Sequence, residues 1–204
     1  MGIFKGIATL TVGALAGAAI FAGVNAVRGA GEDAPAFDKV GDYTSTAKNV
    51  VRFKLAPSND KLAQCMPKVK VDVAVALETD KTGRDVFDVT MTGAPPKTSF
   101  TVFLLEVPGA PFGAAEYIGD VNTDQHGKGK AEFKLIVEEA FSSTIVGKDR
   151  VRKELNHVGM WFADPKDDDF CLGANSPVTP FDGDNEAGVQ AFNSAPSLPK
   201  APLP

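Results

Sequence analysis

The sequence predicts an all-β fold: an antiparallel β-sandwich of roughly seven to eight short strands closed by one disulfide. Three observations predict it. Several short segments alternate apolar and polar residues with a period of two. Clusters of Gly, Pro, Asn and Asp separate those segments. The only two cysteines, Cys65 and Cys171, are far apart in the chain. No stretch couples a strand to a long amphipathic helix, which argues against a β/α architecture. The chain has 204 residues, enough for one domain with flanking segments. Hydrophobic residues make up 44% of it and can fill a core, while 23% are charged, as in ordinary globular proteins. A net charge of -5 without a Lys/Arg stripe argues against a nucleic-acid partner. The 14 Phe outnumber one Trp and two Tyr, which favours core filling over a stacking surface for sugars or bases.

Residues 1–26 read as an export signal. Lys5 gives a cationic start, Ile7 to Val24 is uncharged and rich in Ala and Gly, and Val24-Asn25-Ala26 offers a cleavage junction. The expected location is therefore outside the cell. The rival reading keeps Ile7–Val27 as a membrane anchor, since its length approaches that of a bilayer span. Residues 27–48 are small and polar and read as a flexible linker. The sandwich domain is expected over 49–194, and the Pro-rich 195–204 as a disordered tail.

Within the domain, Val50–Leu55 is a first strand, followed by the turn cluster Pro57-Ser58-Asn59-Asp60. Val69–Leu77 shows the strictest alternation, with Val69, Val71, Val73, Val75 and Leu77 on one face. Val86–Thr92 repeats it with Phe87, Val89 and Met91 inward. Ser99–Val107 is more continuously apolar and is expected to be a central strand, covered on both sides for part of its length. Tyr117–Asn122 and Lys130–Glu138 are expected as neighbours across the tight connection Thr123–Gly129. The mixed-charge stretch Glu138–Leu155 is the place where a helical turn is expected. Asn156–Ala163 is a strand carrying Val158, Met160, Trp161 and Phe162. Cys65 and Cys171 lack CxxC spacing and a nearby His cluster, so they read as a structural bridge.

Pro95-Pro96-Lys97-Thr98-Ser99-Phe100-Thr101-Val102, followed by Gly119 and Thr123-Asp124-Gln125-His126-Gly127, resembles the immunoglobulin-like and fibronectin-type modules of bacterial secreted proteins. The resemblance spans about thirty residues and implies an architecture, with binding, adhesion or scaffolding roles by analogy of fold. It transfers no functional residue. Trp161 lies shortly before Cys171, whereas in true immunoglobulin domains the Trp sits far from both cysteines.

Motifs of catalysis are missing: there is no GxSxG, HExxH, P-loop or GxGxxG. His126 and His157 are the only imidazoles. His126 stands at an expected loop tip and reads either as a polar turn residue or as part of a binding patch. His157 reads as a hydrogen-bonded strand residue. Asp164, Asp167, Asp168 and Asp169 form an acidic loop before Cys171, and Asp182, Asp184 and Glu186 form a second. Carboxylates on loops suit Ca²⁺, and solvated acidic loops have the same composition. Trp161 is either core or, with His126, part of an apolar binding patch. The leading expectation is a secreted, non-enzymatic protein that binds an unidentified protein or envelope component or acts structurally, with no cofactor. Two other classes remain beside it: a secreted hydrolase using the acidic loops, and a calcium-stabilised accessory module.

Overall fold

A computed structural model describes residues 49–180 and 185–204. The expected signal over 1–26, the linker over 27–48, and Asp182 and Asp184 lie outside these residues. The elements in chain order are β1 (Val50–Pro57), α1 (Asp60–Cys65), β2 (Lys70–Ala76), α2 (Thr79–Thr82), β3 (Asp85–Thr92), β4 (Ser99–Leu105), β5 (Ala115–Asn122), β6 (Gly129–Leu135), β7 (Phe141–Val146), β8 (Asp149–Glu154), β9 (His157–Phe162), α3 (Asp169–Leu172) and β10 (Gln190–Asn193). The protein is mostly β, as its patterning predicts. One antiparallel sheet of eight strands runs in the order β5-β4-β9-β10-β1-β2-β3-β6, and β7-β8 form a separate pair.

Period-two alternation sets the registers. Val71, Val73 and Val75 of β2 face Leu55, Phe53 and Val51 of β1, and Met91, Val89 and Phe87 of β3 on the other side. On the far half of the sheet, Phe100, Val102 and Leu104 of β4 lie across from Phe162, Met160 and Val158 of β9. Both sets belong to one buried cluster, so the inward faces of the two halves share a single core. Its centre is aromatic: the Phe100 ring lies 5.1 Å from Phe162 and 5.6 Å from Phe192, both tilted. The halves join where β1 meets β10, through Ala56 opposite Asn193 and Pro57 opposite Phe192. β4 is an interior strand, paired on both edges as expected of a central one, with the end strand β5 on one side and β9 on the other.

Three expectations are corrected. The Glu138–Leu155 stretch carries no helical turn; it contains the β7–β8 hairpin. The physical cause is local. Phe141-Ser-Ser-Thr-Ile-Val is rich in strand-forming residues, and Val146 pairs with Asp149 around a two-residue loop. Gly147 takes φ 66 at the first loop position, where a two-residue hairpin of type II′ calls for glycine. Second, β5 and β6 are joined by the Thr123–Gly129 loop but do not form a ladder. Their backbone pairing is the isolated Thr123–Gly129 bridge; the strands end the sheet order on opposite sides yet pack on each other, with the Phe133 ring against Gly119. Third, the Pro-rich C-terminal segment is ordered against the domain. Ala195–Ser197 forms a 3₁₀ turn, and Leu203 is buried and donates its N–H to the Asn156 carbonyl. Its apolar side chain, packed against the main core, compensates the entropy of fixing a proline-rich segment.

Candidate functional site

The loop quoted for the family resemblance is built by side chains that replace missing backbone pairing. Thr123 Oγ1 donates to the Pro95 carbonyl at 2.6 Å and accepts the Thr98 N–H at 2.9 Å. Asp124 Oδ1 accepts from the His126 and Lys128 N–H groups at 2.7 and 2.9 Å. The backbone bond from Lys128 leads the influences that hold the Asp124 carboxyl below its ordinary range. Gly127 takes φ 70, and a Cβ there would collide with the Ala94 carbonyl oxygen. Ala94 N–H in turn donates to the Gly127 carbonyl. Thr, Asp and Gly at this spacing therefore lock two loops together. His126 is exposed at the tip, with Nε2 3.4 Å from Gln125 Nε2 and no other imidazole in the loop. Gly127→Ala adds a methyl group against backbone at a left-handed position. It should lower the urea midpoint by the equivalent of about 2 kcal/mol or more. An unchanged midpoint would remove this account of the motif.

The acidic loop before Cys171 performs a similar task. Asp164 caps the 3₁₀ turn Pro165–Asp168, accepting the Lys166 N–H at 2.9 Å. Asp168 is fully buried; its Oδ1 accepts from Ser176 Oγ and its Oδ2 from the Val189 N–H at 3.0 Å. Burial first, and then the charge of Asp164, push the Asp167 carboxyl up. Asp169 opens α3, the turn that carries Cys171. Asp164, Asp167 and Asp168 thus each serve a different main-chain group, those of Lys166, Ser99 and Val189. Among the described residues, no group of three or more His, Cys, Asp or Glu side chains is arranged to hold a metal ion. Glu186, from the second acidic loop, is exposed.

His157 is buried with Nδ1 3.2 Å from Ser194 Oγ, and the same hydroxyl accepts the Val158 N–H. Burial lowers its pKa, so the neutral ring is favoured. A buried Ser–His pair without a carboxylate that orients the ring fastens β9 to the segment after β10; it offers no accessible nucleophile. Trp161 is 4% exposed. It packs edge-on to Phe103 at 5.1 Å and Phe112 at 4.9 Å, in a second small cluster with Leu105 and Ala187. That cluster covers the face of β4 and β9 opposite the main core, so Met160 and Trp161, neighbours on one strand, are both buried. His126, exposed in its loop, is not among the residues packed around Trp161.

The bridge predicted between Cys65 and Cys171 is present and ties α1 to α3. Beside it lies a groove of 410 Å³ lined by Cys65, Met66, Pro67, Pro95, Pro96 and Phe170, with Lys68 its one ionisable side chain. A lone ammonium at an apolar groove supplies no acid–base pair. Two features escaped the sequence reading. Asp85 is wholly buried and accepts four backbone N–H bonds. The only hint in the sequence is a charged residue at the start of a strand pattern. The β7–β8 hairpin carries Ile145 and Val146 at its tip, the two most exposed of the large apolar side chains among the described residues, at 62% and 59%. Comparison with protein-family models, curated proteins and solved structures finds no match to this chain.

Proposed function

We propose that this chain is an exported, non-enzymatic β-sandwich protein that binds a partner, or acts structurally, at the cell envelope or outside the cell. In this reading the eight-stranded sheet is two layers, β5-β4-β9-β10 over β1-β2-β3-β6, of immunoglobulin-like class, with the shared core between them. One observation carries the functional reading: four of the groups that could do acid–base work, Asp85, Asp124, Asp168 and His157, are engaged in holding the fold. Asp85, Asp124 and Asp168 accept main-chain N–H bonds, and His157 is buried against Ser194. The N–H bonds hold the Asp85 and Asp124 carboxyls below their ordinary range, and all three carboxylates are fixed in place by main-chain donors, which suits a scaffold and not proton transfer. The disulfide agrees with an oxidising compartment.

Two measurements test this. Intact mass of protein recovered from the medium of producing cells should match a chain beginning at Val27, with the mass of two hydrogens gained on reduction. Retention in cells with residues 1–26 attached, or thiols that react without reductant, would count against export. Purified protein should turn over none of a panel of ester, glycoside and peptide substrates. Turnover that survives repurification and is lost in His157→Ala would make it an enzyme.

A further inference from the structure

The β7–β8 hairpin is anchored at its base and free at its tip. At the base, Leu155 is buried and donates its N–H to the Ala140 carbonyl. Lys153 Nζ pairs with Glu106 Oε1 at 2.6 Å, while Glu106 Oε2 accepts the Ala114 N–H. Beyond this base, β7 and β8 pack chiefly on each other. Ile145 and Val146 are adjacent in β7, so they point to opposite faces of the ribbon. Both are more exposed than any other large apolar side chain among the described residues. An occupant that met one face, or paired with one strand edge, would cover only one of them. Covering both requires surroundings that enclose the tip.

The charge of the hairpin opposes that of the whole chain. Residues 141–154 carry Lys148, Arg150, Arg152 and Lys153 against Asp149 and Glu154, a surplus of two cations on a chain of net charge -5. Arg152 is bonded to Glu154 and stacks 3.9 Å above the Phe141 ring, and Lys153 is held by Glu106. Lys148 in the turn and Arg150 opposite Ile145 take part in none of the ion pairs of the described residues. The cations left over are therefore those beside the apolar tip. Two apolar side chains to enter the acyl boundary, flanked by Lys148 and Arg150, whose charge exceeds that of Asp149 opposite Val146, match the interface of an anionic bilayer.

We propose that the β7–β8 hairpin tip docks on the surface of an anionic phospholipid bilayer, inserting Ile145 and Val146 and placing Lys148 and Arg150 among the phosphates. The proposal rests on the export reading only in requiring that the protein meet a membrane, and the secretion assay above fails or succeeds independently. A few side chains give reversible, salt-sensitive binding. The test places the reporter at the tip, so that residues 1–26 cannot imitate the result. Full-length Ile145→Trp is mixed with phosphatidylglycerol–phosphatidylcholine vesicles bearing bromine on the acyl chains, with Glu132→Trp, on β6, as control. Native Trp161 is buried and gives a constant background. The tip tryptophan should shift to the blue and be quenched; the control should not. Adding Lys148→Glu and Arg150→Glu should weaken the response roughly tenfold or more, and phosphatidylcholine alone should give little. An unquenched tip, equal quenching of both tryptophans, or equal response to neutral vesicles would each overturn the proposal. All these positions are exposed, so circular dichroism should show the wild-type spectrum in every variant.

Discussion

Replacing Cys65 and Cys171 together with alanine should cost the folded domain about 4–5 kcal/mol. The bridge spans a sequence separation of 106, and a loop of that size removes much of the freedom of the unfolded chain. The native side adds a reason specific to this protein. The cysteines lie in α1 and α3, helices of six and four residues, which are too short to persist without tertiary support. α1 is seated by buried Leu62 and Met66, and Asn59 caps it by accepting the Leu62 N–H at 3.0 Å. α3 has no fully buried residue, and its Phe170 is exposed. Besides the bond, the half-buried Leu172 and Cys171 and the Phe170 ring, edge-on to core Phe162 at 6.4 Å, seat α3 on the body. Domains of this size are usually stable by about 5–15 kcal/mol, so the double variant should lie near the margin. Guanidinium unfolding of wild type, reduced wild type and the double variant is the measurement. The latter two should coincide, well below the first. A reduced protein within about 1 kcal/mol of the oxidised one would show that the bridge constrains little.

Strands were legible wherever the large apolar side chains fall on one face. Val71, Val73 and Val75 repeat at period two against Lys70 and Asp72, which reach solvent, and the small Ala74 and Ala76, which are buried, and β2 is found where that pattern lies. β4 was legible as central because its continuous apolar run needs cover on both faces, and Phe103 and Leu105 find it under Trp161 and Phe112. β7 and β8 were not legible as strands because neither face meets the core. Their residues answer to the turn and to cross-strand pairs such as Arg150 with Ile145, so charge is scattered without period. β10 was missed for a different reason: four residues are too few to display a period, yet they join β9 to β1. Of the candidate site, the Thr123–Gly127 loop and the cysteine pair could be read because each has a spacing with a mechanical meaning. The acidic loop could be found but not interpreted, since a capping carboxylate and a metal ligand look alike in sequence. Asp85 had no such spacing: its donors, at residues 78, 79, 137 and 138, come from two distant connections.

Those four donors make Asp85→Asn the second large effect expected, roughly 3 kcal/mol or more, although the side chain keeps its shape. Asp85 opens β3 and is fully buried. Its Oδ1 accepts the N–H groups of Glu78 and Thr79 at 2.6 and 2.9 Å, in the β2–β3 connection. Its Oδ2 accepts those of Val137 and Glu138 at 2.7 and 3.0 Å, at the exit from β6. One carboxylate therefore staples two connections that have no ladder of their own. An amide turns one oxygen into a donor. Whichever way it flips, two N–H groups then face an NH₂, and the charge that strengthened the other pair is gone. Burial pushes the Asp85 carboxyl up, but the N–H bonds from Glu138, Val137 and Glu78 outweigh it and leave the pKa below its ordinary value. The sign for stability follows. A carboxyl whose pKa is lower folded than unfolded contributes stability above its unfolded value, near 3.9, and loses it as pH falls through the folded value. Wild type should therefore lose stability on acidification below about pH 4 more steeply than Asp85→Asn, which has no proton to take up at that site. Urea unfolding of both proteins from neutral pH into that acid range measures both effects. Equal stability at neutral pH, or parallel acid limbs, would mean that the staple is held by something other than this carboxylate.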